Sequence, residues 1–457
     1  MILACLAVYL LLQLLLVFLV ARNTNTEEEY YLAGSRLGTG FATLSIFATW
    51  FGVETCIGSS AAIFHGGLFS SRAEPFGYTI CLLLMGFLFA RRLWARHMTT
   101  LGDLFREKYN SVLVEKLAVI IIIPSVLIWT AAQIKAFGYI LNTVTPLSLN
   151  AGISVAVAVV IAYAVFGGLI GDVITDVIQG VILILGLAFL LWYAVDYFHQ
   201  NALTFSDIDA KRLSFISAGE SIWTRIDAWC IPIIGSLVSQ EMIFRIVASR
   251  TPTIAKSSCI LAAGLYLVVG LIPVALGLMG PHILPTLDGN DSVLMQIAET
   301  LLPLPIFIIF TGALVSAILS TVDSTLLSIS AFMTHNLMGR FFYQRNEAGR
   351  LWLAKLSVVV VGLVAYAIAL RDEGIYDLVI WASSLGTSGL AVVTVMALYA
   401  PNYGNRLAAC STLIVGLIAE PILERIPGVQ APYLLTCIAC IMCYLLLGLR
   451  PTKRRAS

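Results

Sequence analysis

The segment VSAILSTVDST, residues 315 to 325, sets one carboxylate and five hydroxyls into eleven residues of a chain that is otherwise strongly apolar. Oxygen atoms one helical turn apart suit a small hard cation, which prefers oxygen ligands. At about 100° per residue, Ser316, Ala317, Ser320, Thr321, Asp323, Ser324 and Thr325 spread over one broad arc. Ile318, Leu319 and Val322 take the remaining face. Serine and threonine alone often back-bond to their own helix or join neighbouring helices. Asp323 changes the reading, because a carboxylate inside an apolar span costs about 2.5 to 3.5 kcal/mol on insertion scales and marks an ion or proton path.

Two further segments interrupt their helices with polar residues. GTGFATLSIFATWFGVETCIGSSAAIFHGG, residues 38 to 67, is broken at Gly52 and carries Thr49, Glu54 and Thr55. This predicts a helix unwound at mid-membrane, and irregular backbone at that depth is tolerated only where it is buried or lines a cavity. The run 223 to 246 contains Pro232, Gly235 and SQE at 239 to 241 and predicts a second break. Trp50 stands at the first break, and its π face suits an organic cation. Glu54 could complement such a cation. Lys135 could pair with Glu54 or Glu74, snorkel to the outer interface, or meet a solute carboxylate.

The elements that must position these residues follow from composition. With 59% hydrophobic and 12% charged residues, and a mean hydropathy of +0.94, the apolar runs are too many and too long for a soluble core. The chain reads as an all-α, multi-pass membrane protein whose partners are lipid, ions and small solutes. A net charge of +1 carries no sign of a nucleic-acid partner. The nine cysteines are odd in number and lie mostly in apolar runs; Cys437, Cys440 and Cys443 share one helical face and read as packing. Neither HExxH nor GxSxG nor a Cys/His ligand set occurs, and the five histidines, His65, His97, His199, His282 and His335, are scattered, so no enzyme is expected.

The first apolar run, 2 to 20, lacks a positive n-region and a cleavage site and reads as a retained span. Runs at 38–65, 74–93, 115–142, 150–166, 172–195, 223–246, 257–280, 302–337, 351–371, 375–400, 406–424 and 431–449 bring the spans to thirteen. RRLWAR (91–96), SRTPTIAK (249–256), GRFFYQR (339–345) and RPTKRR (450–455) share one side if the N-terminus is outside and the C-terminus cytoplasmic. The opposite loops, DYFHQNALTFSDIDAKR (196–212) and PTLDGNDS (285–292), are acidic or mixed. Setting the first span aside, the interrupted helices are core helices 1 and 6, the spacing of a five-plus-five inverted repeat framing a midplane site. One transmembrane domain is expected: an extra helix at 1–22, repeats at 38–195 and 223–400, and two C-terminal helices at 405–449.

YYLAGSRLG (30–38), FATW (47–50) with its following glycine, AYAVFGGLIGDVITDVIQGV (162–181), QEMIFR (240–245) and SAILSTVDSTLLS (316–328) give the chain its likeness. It resembles the sodium:solute symporter family, which has the LeuT-type fold with an extra N-terminal helix and couples inward Na+ movement to solute uptake. The resemblance implies a Na+ site made by the carbonyls of Ala48, Phe51 and Ala317 with the hydroxyls of Ser320 and Thr321. It further implies a second cation site at Asp176, Ser320, Asp323 and Ser324, with Asp323 standing where other members carry a hydroxyl. Trp50, Tyr78 and Trp129 match aromatic positions of the choline-transporter branch, in which Ser239 would be another tryptophan; Trp381 is a candidate to close the cage. The expected function is Na+-coupled import, across the plasma membrane, of a quaternary ammonium or amine. A zwitterionic amino acid, or a sensor role without net transport, is the alternative.

Overall fold

The computed structural model describes residues 2–21, 37–96, 98–287, 293–339, 344–371 and 373–449. YYLAGSRLG lies outside these except for its last two residues, as do His97, RPTKRR, the middle of GRFFYQR and most of PTLDGNDS.

Each apolar run carries helix. After α1 (Ile2–Ala21) comes a pair, α2 (Thr39–Trp50) and α3 (Glu54–Gly66), bent by 55°. Next are α4 (Ala73–Trp94), the short amphipathic α5 (Leu101–Tyr109), α6 (Val112–Val144), α7 (Leu149–Val165) and α8 (Gly171–Gln200). The helices α9 (Ile222–Val238) and α10 (Gln240–Val247) form a second pair, bent by 49°. They are followed by α11 (Pro252–Ile283), α12 (Val293–Leu301), α13 (Leu304–Met338) and α14 (Glu347–Ala369). A third pair, α15 (Ile375–Ser384) and α16 (Thr387–Tyr399), bends by 43°. The described chain ends with α17 (Arg406–Glu424) and α18 (Pro432–Gly448).

Local chemistry sets many of these boundaries. Thr100 and Asp103 form a capping box on α5, and Asn110 ends it in the left-handed conformation. Thr251 caps α11 with Pro252 at the first helical position. The third bend was not expected from the sequence, which reads 375–400 as one span; Gly386 makes it, at a φ of +70° that a side chain rarely adopts.

Helical backbone continues from Leu149 to Gln200, yet it contains a reversal. Gln179 Nε2 donates to Tyr163 Oη at 3.3 Å, whereas sixteen residues of straight helix would separate them by about 24 Å. Thus α7 and α8 form a hairpin, as two separate apolar runs require.

The first two bent pairs are tied to each other at one end, where Leu37 N donates to Ala248 O at 3.0 Å and Arg250 N to Leu37 O at 2.9 Å. The extra helix α1 docks by its few polar residues: Tyr9 pairs with Ser316, Gln13 donates to Tyr9 Oη at 2.5 Å, and Gln179 donates to Gln13 at 2.6 Å. In α13 the polar arc is buried, but so are Ile318, Leu319 and Val322, so this helix has no lipid face between Phe310 and Phe332. It is the central post of the molecule.

Candidate functional site

Helix α2 ends at Trp50, so the carbonyls of its last turn lose their intrahelical partners. One of them, Thr49 O, accepts from Thr321 Oγ1 at 3.0 Å, and the same hydroxyl lies 3.1 Å from Ala317 O. Ala48, Phe51, Ala317, Ser320 and Thr321 are all buried. Ser320 Oγ has no partner among the described residues. Freed carbonyls, a bridging threonine and an unpaired serine hydroxyl form an oxygen-rich seat between α2 and α13, fitting the chemistry of a desolvated Na+.

One turn further along α13 lies a denser cluster. Arg245 of α10 is fully buried. Its Nη2 is 2.8 Å from Asp172 Oδ2, 2.8 Å from Asp176 Oδ2 and 2.8 Å from Ser324 Oγ. Its Nε donates to Ser45 Oγ at 2.8 Å, and Ser45 in turn donates to Asp176 Oδ2 at 2.5 Å. The expected second cation position therefore already holds a guanidinium against two of its members, Asp176 and Ser324. Arg245 and Asp172 are buried charges of this cluster that sequence reasoning left unassigned, although both stand in quoted motifs. Asp323 remains apart: both its carboxylate oxygens are shielded and unpaired among the described residues, and Asp172, Asp176 and Arg245 are the charges acting on it.

Above the Na+ seat, between the helix breaks, lies a cavity with about 610 Å³ of empty space, part of it open. Trp50, Tyr78 and Trp129 form one wall. Trp50 and Tyr78 meet edge to face at 6.0 Å between centroids, and Tyr78 and Trp129 do the same at 6.0 Å. Tyr78 Oη pairs with Ser383 Oγ of α15 at 2.9 Å, which fixes the middle ring. Ser239 and Glu241, at the second break, line the same cavity. Glu241 is a cavity carboxylate that the sequence reading passed over inside SQE; its position at the start of α10, just past the break, was the available signal.

Two expected solute contacts lie elsewhere. Trp381 is 45% exposed on α15 and does not line the cavity. A period of 3.6 residues gives spacing around a helix but not which side faces inward. Glu54 is buried behind the cavity wall, where Gln133 donates to it. Beside it Glu74 accepts from Tyr266 Oη at 2.5 Å and from Thr55 Oγ1 at 3.0 Å, and Tyr266 is the lining residue that separates this pair from the cavity. Lys135 pairs with neither carboxylate: its Nζ donates to the carbonyls of Arg371 and Glu373, the latter at 2.6 Å, in the loop after α14.

This architecture is shared with known transporters. Over 100% of its length the chain superposes on 99% of a Na+-coupled sialic acid symporter in a substrate-bound outward-open state, with a TM-score of 0.81 at 17% identity. It also matches Mhp1, a nucleobase-cation-symport-1 family transporter, with a TM-score of 0.65 at 12% identity over 93% of this chain and 94% of that one. These likenesses show a LeuT-type fold. In sequence it is 25% identical to high-affinity choline transporter 1 of Drosophila melanogaster, over 90% of this chain and 69% of that one. It is 24% identical to the Homo sapiens high affinity choline transporter 1, over 84% and 70%, and 25% identical to a sodium/proline symporter of Staphylococcus aureus, over 90% and 83%. The family model for sodium:solute symporters matches residues 30–416. The molecule is thus a transporter rather than an enzyme, an integral multi-pass protein of the plasma membrane. The chain belongs to the sodium:solute symporter family.

Proposed function

We propose that this protein imports a small organic solute with a positively charged nitrogen, a quaternary ammonium or amine of the choline kind, driven by Na+. One observation carries the reading: a carboxylate, Glu241, and three aromatic rings line one cavity, and among the described residues no Lys, Arg or His lines it. A cation satisfies both walls, through ring quadrupoles and through charge. The high-affinity choline transporters among the relatives support the same class. An amino acid zwitterion is less well served, since Lys135 points to the outer loop rather than to the cavity.

The Na+ seat is assigned to Ala48, Phe51, Ala317, Ser320 and Thr321. A second ion is assigned to the free oxygens of Ser320 and Asp323, with Asp176 and Ser324 shared with Arg245. The working topology is thirteen spans with the N-terminus outside, arranged as an extra helix, repeats 38–195 and 223–400, and two closing helices. Transport rather than sensing is tested by counterflow of labelled choline or ethanolamine in proteoliposomes. Uptake should require Na+, and Thr321→Ala should raise the Na+ concentration for half-activation about tenfold, ~1.4 kcal/mol. Undiminished uptake in Na+-free buffer would sink the proposal.

A further inference from the structure

Three oxygen atoms on one side of the solute cavity have no hydrogen-bond partner among the described residues: Ser236 Oγ, Ser239 Oγ and Glu241 Oε2. All three residues line the cavity, and all belong to the second helix break, where α9 ends and α10 begins. Ser239 lies within reach of the Glu241 carboxylate, which also meets its own backbone N–H, while Ser239 Oγ and Glu241 Oε2 complete no hydrogen bond of normal geometry among the described residues. Shielded oxygens in this state ask for donors from a ligand, because desolvation without a partner is unfavourable. The aromatic lining asks for something else. Trp50, Tyr78 and Trp129 accept a cation at their ring faces and need no donors from it.

A fully methylated ammonium satisfies only one of these walls. It has charge and C–H groups for the rings, but no N–H to give to Glu241, Ser239 or Ser236. An ammonium that keeps two or three N–H groups satisfies both: its hydrogens go to the carboxylate and the hydroxyls, and its carbon side lies against the rings. Charge-assisted hydrogen bonds of this kind are about twice as strong as neutral ones. They are also directional, so they discriminate by methyl count.

We infer that the solute is a primary or secondary ammonium ion, gripped through its N–H groups by Glu241 with Ser239 and Ser236, and that these residues select against the quaternary form. The inference rests on the cationic reading of the cavity and narrows it.

Its test is a methylation series on one carbon skeleton: ethanolamine, N-methylethanolamine, N,N-dimethylethanolamine and choline. Each competes for Na+-dependent ligand binding, followed by thermal shift of the purified protein in detergent. Affinity should fall along the series, by about tenfold or more between ethanolamine and choline, ~1.4 kcal/mol. Glu241→Gln should flatten that order by weakening the N–H-rich members most, and Glu241→Asp should retain it. Choline binding as tightly as ethanolamine to the unmodified protein, or an order unchanged in Glu241→Gln, overturns the inference and leaves the cationic reading standing. If no member of the series binds while uncharged solutes do, the cationic reading falls and the inference with it.

Discussion

Glu241 and Arg245 lie one turn apart on α10, and Arg245 Nη1 even donates to the Glu241 carbonyl at 3.1 Å, yet their side chains serve two opposite solutions to buried charge. Around Arg245 the protein supplies its own counter-ions, Asp172 and Asp176, and the hydroxyls of Ser45 and Ser324 close on the guanidinium beside them. Around Glu241 it supplies less: Arg245 acts on the carboxylate from one turn away and Ser239 lies beside it, but Glu241 Oε2 has no hydrogen-bond partner among the described residues, and aromatic rings line the same cavity. The first arrangement pairs its opposite charges within the protein, with Asp172 Oδ1 and Asp176 Oδ1 left unpartnered among the described residues, and therefore fastens helices together. The second is incomplete and therefore selects what comes in. Between them, Ser320 and Asp323 retain unpaired oxygens next to the closed cluster, which is where an ion has something to add.

The largest expected effect comes from opening the closed side. Arg245→Leu leaves Asp172 and Asp176 buried without their common partner, a loss of about 3–5 kcal/mol by the rule for breaking one side of a buried ion pair. Arg245→Lys should rescue little, because one ammonium cannot reach Ser45, both aspartates and Ser324 in the fork geometry of a guanidinium. Thermal unfolding in detergent, with folded yield as a second measure, reads both. A melting curve for Arg245→Leu that matches the unmodified protein would mean the cluster does not fasten α10 to α8 and α13.

How far the sequence foretold this contrast depends on whether the decisive signal was local. The first break is legible because Gly52 and Glu54 stand together inside an apolar run. The break at Gly386 is not, because SSLGTSG holds no charge and only the backbone angle reveals the bend. The hydroxyl run on α13 is legible as a buried arc, but the burial of Ile318 and Val322 is not, since it depends on helices packed from every side. Arg245 sits in a quoted motif, yet its meeting with Asp172, 73 positions away, is a tertiary fact. Trp381 shows the converse error, in which an aromatic residue on the right helix points outward.

The intermediate region sharpens the comparison next. If an ion uses the free oxygens of Asp323 and Ser320, the Hill coefficient for Na+ should be near two in the unmodified protein and near one in Asp323→Asn. Each ion contributes ~2.3 kcal/mol per 100 mV and ~1.4 kcal/mol per tenfold gradient, so the variant should lose ~3.7 kcal/mol of driving force per solute. Charge moved per solute, measured in proteoliposomes, checks it. Equal charge in both proteins would leave Asp323 without an ion.

On the open side, Trp50→Ala should weaken binding of a cationic solute by about thirtyfold, ~2 kcal/mol, while Trp50→Phe should cost much less, since a ring face persists. Competition binding distinguishes them. Equal losses would make Trp50 a packing residue and remove one wall of the cavity from recognition.

The smallest effect concerns a second guanidinium, also buried but placed at a loop instead of at the molecule's centre. Arg72, just before α4, grips Glu220 of the loop after α8 with two hydrogen bonds of 2.6 Å, and its Nε donates to Phe215 O at 3.0 Å. The hydrogen bond from Arg72, aided by its charge, holds the Glu220 carboxyl below its ordinary value. A carboxyl lowered by folding stabilises the docked loop fully above its unfolded pKa, about 4.3, and that contribution disappears as pH falls through the lower, folded value. Loop docking should therefore be flat from neutral pH down to about 5 and loosen only in more acid solution. Hydrogen exchange across residues 201–221 reads this directly. Glu220→Gln should raise exchange modestly at neutral pH and abolish its acid dependence, while leaving the melting of the Arg245 cluster unchanged. If the variant instead destabilised the protein as much as Arg245→Leu, a place at a loop rather than between central helices would not be what separates the two guanidinium sites.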